Sequence, residues 1–451
     1  MKPLTAVWLA IVLQAACSRP TQTAIETRSV ALTHPEDTAS AFEPFAAIDP
    51  SQPDRLLVGA QYGAGYNRGG HRIWTWLSRD GGTTWSGGRV ISKPFPSAGQ
   101  ALAADLTMAV GLDGAIYHLS LTADSAPEGL LTAAAALARS TDGGRTFVPR
   151  AVFGTVETAE PGVLVFTDKS WIAVDAGADS PHRGNLYFGW AKNRVDFRDT
   201  SVTTRPVVAR SRDGGQTVEA PVGLANNGFG VTLSVDSRGA VHAAWYELRS
   251  SGAEGFRVLH SASVDGGESF SEPAVVAELA DSTESIDLPQ IIVGPEGRLL
   301  LCWSQGPPLS AAAIDVWCST REPDSGWTPP QAVLADAAGR TAFAYPAIAA
   351  TSDALWLLAY SADTALTVNL YRSEDGRSFQ HMVTLASASL PAGFCARPGL
   401  PCRRSGEGFF PGDYVSLGGS ARRVVAAYPM PRRDGSPGST TVMVSVVTLP
   451  K

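Results

Sequence analysis

The sequence lacks the features that mark several common classes of protein. Its 451 residues contain no apolar run of the roughly 20 residues that a membrane-spanning helix needs. Only 18% of the residues are charged and the formal net charge is -7, which argues against nucleic acid or an anionic membrane surface as the main partner. A G-x-S-x-G elbow, an H-E-x-x-H helix and a phosphate loop are all missing, and the seven histidines are scattered. We therefore expect no cofactor and no bound metal.

The N-terminus has the pattern of an export signal. Lys2 precedes a short apolar run, Leu4 to Leu13, and small residues then lead to Cys17. This order resembles a bacterial lipobox, in which the signal is cleaved before the cysteine and the thiol is acylated, although Gln14 stands where an aliphatic residue is usual. An ordinary secretory signal is the alternative. By resemblance to lipoprotein sorting, Ser18 would suit the outer membrane, so we expect an exported lipoprotein of the cell envelope whose only membrane contact is this lipid.

Cysteine usage agrees with this interpretation. The chain has five cysteines, and an exported protein rarely leaves one unused. Acylation of Cys17 would leave four, which we expect to form two local disulfides. The sequence places these cysteines in two neighbouring pairs, Cys302 with Cys318 and Cys395 with Cys402. Four cysteines still permit three pairings, and the spacings fit a metal site poorly.

Five segments of the chain repeat one loop pattern, a serine followed two residues later by aspartate and glycine. We call them the aspartate loops: Ser78–Trp85, Ser140–Phe147, Ser211–Val218, Ser263–Phe270 and the shorter Ser373–Phe379. A looser version lies between Ser319 and Trp327. In such a loop the carboxylate accepts backbone N–H groups and the glycine tolerates a positive φ. We therefore interpret the five aspartates as structural: Asp80, Asp142, Asp213, Asp265 and Asp375.

A second repeated element precedes each loop region and sets the fold class. It is an apolar run, a turn and a second apolar run that ends in an aromatic residue, and it occurs seven times between Pro44 and Tyr428. With the run that enters each aspartate loop and the run after it, every unit has four strands. The prediction is an all-β β-propeller of four-stranded antiparallel blades, with seven blades and six as the alternative. We expect a signal at residues 1–17, a flexible tether at 18–40 and one monomeric propeller domain at 41–451.

The loop pattern S-x-D-G-G-x-T-W resembles the Asp-box, or BNR repeat, of sialidases, sortilin-type receptors and bacterial surface propellers. The resemblance covers the repeats along the whole domain and implies the propeller fold. It does not imply an activity, because this fold hosts unrelated functions.

Strand order separates the two faces of the predicted ring. First strands begin and second strands end on one face, which we call the axial mouth, and the aspartate loops lie on the opposite face. At the mouth we single out Asp168 as a general acid, Tyr414 as a nucleophile and the neighbouring Asp413. The predicted ligand-binding residues are Arg194, Arg249, Arg432, Glu247, Lys169 and Asp287. Turn caps and ion pairs are the alternative roles for these charges.

Sialidases use an arginine triad, a Tyr/Glu nucleophile couple and an aspartic acid, and their first arginine lies in a Phe-Arg-Ile-Pro string. The nearest string here is Phe42–Phe45, in which Glu43 stands close to the missing arginine. Topology offers Arg194, Arg249 and Arg432 as a replacement triad, with Tyr414 and Glu407 as the couple. The departure favours a binding module for a glycan or a surface protein over a retaining, sialidase-like exo-glycoside hydrolase. A structural role in the envelope is the third possibility.

Overall fold

The computed structural model describes residues 25–32, 40–63, 72–89, 102–125, 131–154, 161–248, 255–279, 284–285, 288–306, 314–390, 409, 411–432 and 439–450. Over these residues the chain consists of β-strands and turns, with one 3-10 turn at Pro295–Gly297. No helix in this part of the chain has the length and hydrophobicity to cross a membrane.

The strands form seven antiparallel sheets, one per blade. Blade 1 contains β2 (Ser40–Ile48), β3 (Leu56–Gly63), β4 (Arg72–Ser78) and β5 (Ser86–Arg89). Blade 2 contains β6 (Leu102–Val110), β7 (Ile116–Ser125), β8 (Leu131–Ser140) and β9 (Val148–Phe153). Blade 3 contains β10 (Val163–Val174), β11 (Leu186–Asp196), β12 (Ser201–Ser211) and β13 (Val222–Gly223). Blade 4 contains β14 (Phe229–Val235), β15 (Val241–Leu248), β16 (Phe256–Ser263) and β17 (Ala274–Glu278).

Blade 5 has its first strand in two pieces, and blade 7 borrows a strand from the N-terminus. Blade 5 contains β18 (Glu284–Ser285), β19 (Gln290–Val293), β20 (Leu299–Gly306), β21 (Asp315–Arg321) and β22 (Gln331–Leu334). Blade 6 contains β23 (Ala342–Ala350), β24 (Leu355–Ala362), β25 (Ala365–Ser373) and β26 (Gln380–Ser389). Blade 7 contains β27 (Ser416–Ser420), β28 (Arg423–Pro431), β29 (Thr440–Thr448) and β1 (Glu26–Leu32).

The first strands of neighbouring blades touch in chain order around the axis. Contacts run from β2 through β6, β10, β14, β19, β23 and β27, and β27 returns to β2. This closed circuit confirms the predicted all-β propeller of four-stranded antiparallel blades and decides for seven blades over six.

The N-terminal strand closes the ring. β1 pairs with β29 from Glu26 opposite Thr448 to Leu32 opposite Val442, and Leu32 is buried in the core between blades 7 and 1. The prediction of a tether reaching residue 40 is therefore wrong for Glu26–Leu32. This short segment alternates polar and apolar residues and forms the outer strand of blade 7. It pairs with the edge that β29 would otherwise leave unpaired.

Packing between blades depends on large aromatic side chains at the second strands. Trp190, Trp245 and Trp303 are 2%, 0% and 0% exposed and lie in the clusters between successive sheets. Burial of side chains of this size contributes on the order of 2–3 kcal/mol each. These tryptophans therefore stabilise the ring and present no face to a ligand.

Each aspartate loop is held by its own side chains. In the first loop Asp80 Oδ1 accepts the N–H groups of Thr83 and Thr84, at 3.1 and 2.9 Å, and the Thr84 hydroxyl donates to Oδ2 at 2.6 Å. Ser78 Oγ accepts the N–H of Gly82 at 2.8 Å. The hydrogen bonds that the Asp80 carboxylate accepts lower its pKa to about 2, and the bond from the Thr84 hydroxyl has the largest effect. The other four loops repeat the aspartate bonds, which gives their carboxylates a structural role.

A disulfide joins Cys302 on β20 to Cys318 on β21, with the two Cα atoms 4.2 Å apart. The two residues stand directly opposite each other in the strand register, so one predicted pair is present. Cys17, Cys395 and Cys402 lie outside the described residues.

Candidate functional site

The first strands carry a bulge at the axial mouth. Pairing with the second strand is interrupted between Phe42 and Phe45, Ala104 and Thr107, and Asp168 and Trp171 in blades 1, 2 and 3. Glu43, Asp105 and Lys169 follow the break with φ values of 48°, 50° and 51°. Blade 4 has Gly230 at the same position, with a φ of 75°.

A non-glycine residue in this left-handed conformation costs about 1–3 kcal/mol. The glycine of blade 4 avoids that cost, yet blades 1 to 3 place ionisable residues in the strained position. Tyr345 of blade 6 has the same conformation, with a φ of 55° in the bulge between Ala344 and Ala347. In blades 1 to 3 the strain is offset by what the ionisable side chains do, and these three side chains meet at the axis.

The ammonium of Lys169 is the centre of that meeting point. Its Nζ lies 3.1 Å from Asp105 Oδ1 and 3.5 Å from Glu43 Oε1, and it also contacts Asp413 Oδ2. The three acids come from blades 2, 1 and 7, whereas Lys169 belongs to blade 3. We call Glu43, Asp105, Asp168, Lys169 and Asp413 the axial cluster.

Backbone groups complete the axial cluster. The Lys169 N–H donates to Asp105 Oδ2 at 3.2 Å and to Asp168 Oδ1 at 3.0 Å. The Asp413 N–H donates to Glu43 Oε1 at 3.1 Å. A Cβ on Gly412 would lie 2.2 Å from Glu43 Cγ, so the glycine lets the chain approach the acid this closely.

Burial and charge set the protonation of these acids. Burial raises the pKa of Glu43 well above its usual value. Burial alone would also raise the pKa of Asp105, but the Lys169 charge, together with hydrogen bonds from Glu43 and Lys169, holds that pKa below the usual value. Burial, reinforced by Asp105 and Asp413, raises the pKa of Asp168 to about 7. Glu43 therefore takes up a proton at a higher pH than Asp105 does.

Asp168 is the member of the axial cluster with the greatest access to solvent. Its side chain is half-buried, whereas Glu43, Asp105, Lys169 and Asp413 are 0%, 4%, 7% and 9% exposed. A ligand that enters the mouth would therefore meet the Asp168 carboxyl group before the other charges.

Aromatic rings close the axis beside the axial cluster. Trp171 of blade 3 packs edge-on against Phe45 of blade 1 and Tyr414 of blade 7, at centroid distances of 5.6 and 6.3 Å. Blade 3 adjoins neither of these blades, so the indole reaches across the axis. The mouth thus ends on a floor made of charged and aromatic side chains.

Tyr414 is a structural part of this floor, which does not fit the predicted role of nucleophile. Its hydroxyl donates to the carbonyl of Leu106 at 2.8 Å, and the side chain is 3% exposed. Burial and the neighbouring acids raise the pKa of Tyr414 well above 10. A buried phenol of this kind neither ionises readily nor reaches a substrate.

The predicted arginines make local contacts. Arg194 Nη2 binds Asp196 Oδ2 on its own strand at 3.2 Å. Arg432 lies near Tyr62 of blade 1, where burial raises the pKa of the Tyr62 phenol and the Arg432 charge partly offsets that rise. The backbone N–H of Arg432 donates to the Ser439 carbonyl. Arg249 lies outside the described residues, as do Asp287 and Glu407. The contacts that are described give no support to an arginine triad.

Glu247 also has a local partner, because its Oε2 lies 3.5 Å from Arg257 Nη1 on the neighbouring strand.

By contrast, Asp168, Lys169 and Asp413 are brought together as expected for one site. The predicted ligand-binding set omitted Glu43 and Asp105. Their positions at the start of first strands, equivalent to that of Lys169, were the signal for including them.

The axial cluster offers oxygen ligands, but the Lys169 ammonium stands where a cation would bind them. Within the described part of the chain, no three His, Cys, Asp or Glu side chains are arranged to hold a metal ion. Chemically, the arrangement can accept hydrogen bonds from a polar ligand and can exchange a proton at Asp168 near neutral pH.

No family model and no curated protein matches this chain. Among solved structures, a protein of unknown function from Dyadobacter fermentans is 14% identical, with 94% of this chain and 99% of that chain covered and a TM-score of 0.54. A PL25 ulvan lyase bound to -[GlcA(1-4)Rha3S]- is 11% identical, with 92% and 95% covered and a TM-score of 0.53. At these identities the likeness concerns the fold, and the chain is similar to both proteins as a β-propeller over nearly its whole length.

Proposed function

We propose that this propeller binds a glycan at its axial mouth and that the preferred ligand is a neutral sugar. The observation that carries the proposal is the convergence of four carboxyl groups from blades 1, 2, 3 and 7 on Lys169, three at its ammonium and Asp168 at its backbone N–H. Carboxylate oxygens accept hydrogen bonds from sugar hydroxyls. The excess of acids over the one ammonium disfavours a sugar that carries its own carboxylate or sulfate.

A propeller of the same fold supports carbohydrate as the ligand class. The similar ulvan lyase is bound to a segment of glucuronic acid and sulfated rhamnose, so the fold can present a surface to a polysaccharide. That ligand is anionic. The acidic floor described above is the reason to propose a neutral sugar for this chain instead.

Binding can be tested with an array of neutral and acidic glycans probed with the labelled protein. We expect signals on neutral glycans that fall at least tenfold in Asp168→Asn. Asp375→Asn is the matched control, because it makes the same chemical change on the opposite face. A preference for acidic glycans, or unchanged binding by Asp168→Asn, would contradict the proposal. A protein that binds no glycan would point to a surface protein as the ligand.

A second function is favoured by one observation, the raised pKa of Asp168. A carboxyl group with a pKa of about 7 is largely protonated just below neutral pH and suits a general acid in glycoside hydrolysis. In that role Asp168 would protonate the glycosidic oxygen, and Asp413, the next carboxylate of the floor, would attack the anomeric carbon. Water would then release the sugar from the covalent intermediate with retention.

Incubation of the protein with aryl glycosides of neutral sugars distinguishes hydrolysis from binding alone. An exo-hydrolase would release the aryl alcohol with a rate that falls above pH 7, and Asp168→Asn would abolish the release. Binding without turnover would leave the binding module as the function.

We further propose that Cys17 is acylated and anchors the protein in the cell envelope, at the outer membrane. The lipobox-like order of residues before Cys17 supports this. Mass spectrometry of the mature N-terminus would show a lipid-modified Cys17. An unmodified thiol there would contradict the anchor.

A further inference from the structure

The face opposite the mouth has a contact between two neighbouring aspartate loops. The second residue of the blade 3 loop meets the sixth residue of the blade 4 loop. Between blades 3 and 4 these residues are Arg212 and Glu268, and Arg212 Nη2 lies 3.2 Å from Glu268 Oε1. The same carboxylate oxygen also holds Arg210 Nη2 at 3.1 Å. An acid thus joins the two loops.

Between blades 1 and 2 the same two loop positions hold Arg79 and Arg145. Both arginines line a cavity of about 580 Å³. Where blades 3 and 4 have an arginine and a glutamate, this junction has two arginines, and the carboxylate that would bind them is missing.

The acids of this cavity are already engaged. Asp54 is paired with Arg423. Both oxygens of Asp142 are used by its own loop, with the N–H groups of Arg145 and Thr146 at 3.0 Å and the Thr146 hydroxyl at 2.6 Å. Neither carboxylate is therefore available to bridge the two guanidinium groups.

A third arginine adds to the positive charge. Arg55 lines the cavity and binds Asp49 Oδ2 at 2.9 Å and Gln52 Oε1 at 2.8 Å. A Cβ placed on Gly143 would lie 3.5 Å from Arg55 Nε and 3.7 Å from Arg79 Nη2, so these two guanidinium groups lie close together. Among the described residues, the guanidinium groups of Arg79 and Arg145 have no ion pair or hydrogen bond. Like charges gathered in this way repel one another unless an anion lies between them.

We propose that this cavity binds a tetrahedral oxyanion, a phosphate or sulfate group, between Arg79 and Arg145. The anion takes the place that the Glu268 carboxylate occupies between blades 3 and 4. The several oxygens of such an anion can serve guanidinium groups that approach from two loops. The site lies across the ring from the axial mouth and is independent of the glycan proposed there.

Two probes separate the possible sources of the anion. Inorganic phosphate and sulfate represent a free ion, and glycerol phosphate represents the headgroup of an anionic lipid. Each is titrated into the protein by calorimetry at constant ionic strength, with chloride as the balancing ion, and thermal melting is followed in parallel. We expect saturable binding, with the tighter probe indicating the source.

The variants test the arginines individually. We expect Arg79→Ala and Arg145→Ala each to weaken binding at least tenfold. Arg377→Ala is the matched control, because Arg377 is equivalent to Arg145 in the blade 6 loop, and it should bind like the unmodified protein. Arg145→Glu should abolish binding and raise the melting temperature in low salt, because it recreates the pair of Arg212 and Glu268.

Unaltered anion binding in Arg145→Glu, or equal melting shifts with chloride and phosphate in the unmodified protein, would overturn the proposal. A cooperative melting transition serves as the readout of folding for every variant and should be retained. A variant that loses this transition reports unfolding. Arg79→Lys, which keeps the charge and the fold but not the planar fork, then decides the question by weakened binding.

Discussion

The Nζ atom of Lys169 lies 3.1 Å from Oδ1 of Asp105, and this contact joins blade 3 to blade 2 at the axis. The same ammonium reaches Glu43 of blade 1 and Asp413 of blade 7. The first and last blades of the ring are thus tied to its third blade through a single side chain. Because the ammonium is 7% exposed, water cannot replace it when it is lost.

Replacing Lys169 with methionine should destabilise the protein strongly at neutral pH. Removing one partner of a buried ion pair costs about 3–5 kcal/mol, because the remaining charge is left uncompensated. The effect should shrink towards pH 5, where the acids of the cluster take up protons. Urea denaturation at pH 5 and pH 8 measures both values, and an equal loss at the two pH values would contradict this account.

Asp168→Asn should stabilise the protein progressively as pH rises. The folded-state pKa of Asp168, about 7, exceeds the ordinary value of 3.8, so ionisation opposes folding. The destabilisation in the unmodified protein begins above pH 4 and is complete above pH 7. Discounted for its half-buried position, the gain is on the order of 1–2 kcal/mol at pH 8. Denaturation curves of both proteins at pH 4 and pH 8 should coincide only at pH 4.

Tyr414→Phe should weaken the fold and spare the function. It removes the hydrogen bond to the Leu106 carbonyl, which costs about 1–2 kcal/mol for a buried pair. Glycan binding, or sugar release if it occurs, should stay within twofold of the unmodified protein. A loss of sugar release by several orders of magnitude, with stability intact, would restore Tyr414 as the nucleophile.

Removal of the disulfide should lower the free energy of unfolding. Cys302 and Cys318 are 16 residues apart, and closing a loop of this size contributes about 3 kcal/mol in the chain-entropy description. The double variant Cys302→Ala/Cys318→Ala should lose about 2–3 kcal/mol in guanidinium chloride. A reducing agent should lower the stability of the unmodified protein more than that of the variant, in which only the predicted pair of Cys395 with Cys402 is left to respond.

Repetition made much of the fold predictable. Each unit repeats the same strand order, so even the alanine-rich stretch before the second aspartate loop is identified by position, and it forms β8 despite a composition that favours helix. Glu26–Leu32 was missed because it stands alone at the start of the chain. Its partner, β29, is more than 400 residues away.

The candidate site was predicted in part for the same reason. Topology assigned Asp168, Lys169 and Asp413 to one face, but the sequence contains no signal for how far a side chain reaches across the axis. The central position of Lys169 depends on a strained bulge with a φ of 51°. Arg194 and Glu247 were expected at the ligand, but Asp196 on the same strand binds Arg194, and Arg257 on the neighbouring strand binds Glu247.

The strand that closes the ring also orients the molecule. Glu26, at the start of β1, pairs with Thr448, and Thr448 pairs with Arg423 at the start of β28. Arg423 binds Asp54, which lies in the turn between β2 and β3 on the face of the aspartate loops. β1 therefore enters the ring on the face that carries Arg79 and Arg145, and the axial mouth lies on the opposite side. The lipid proposed at Cys17 would join the propeller on the side away from the mouth.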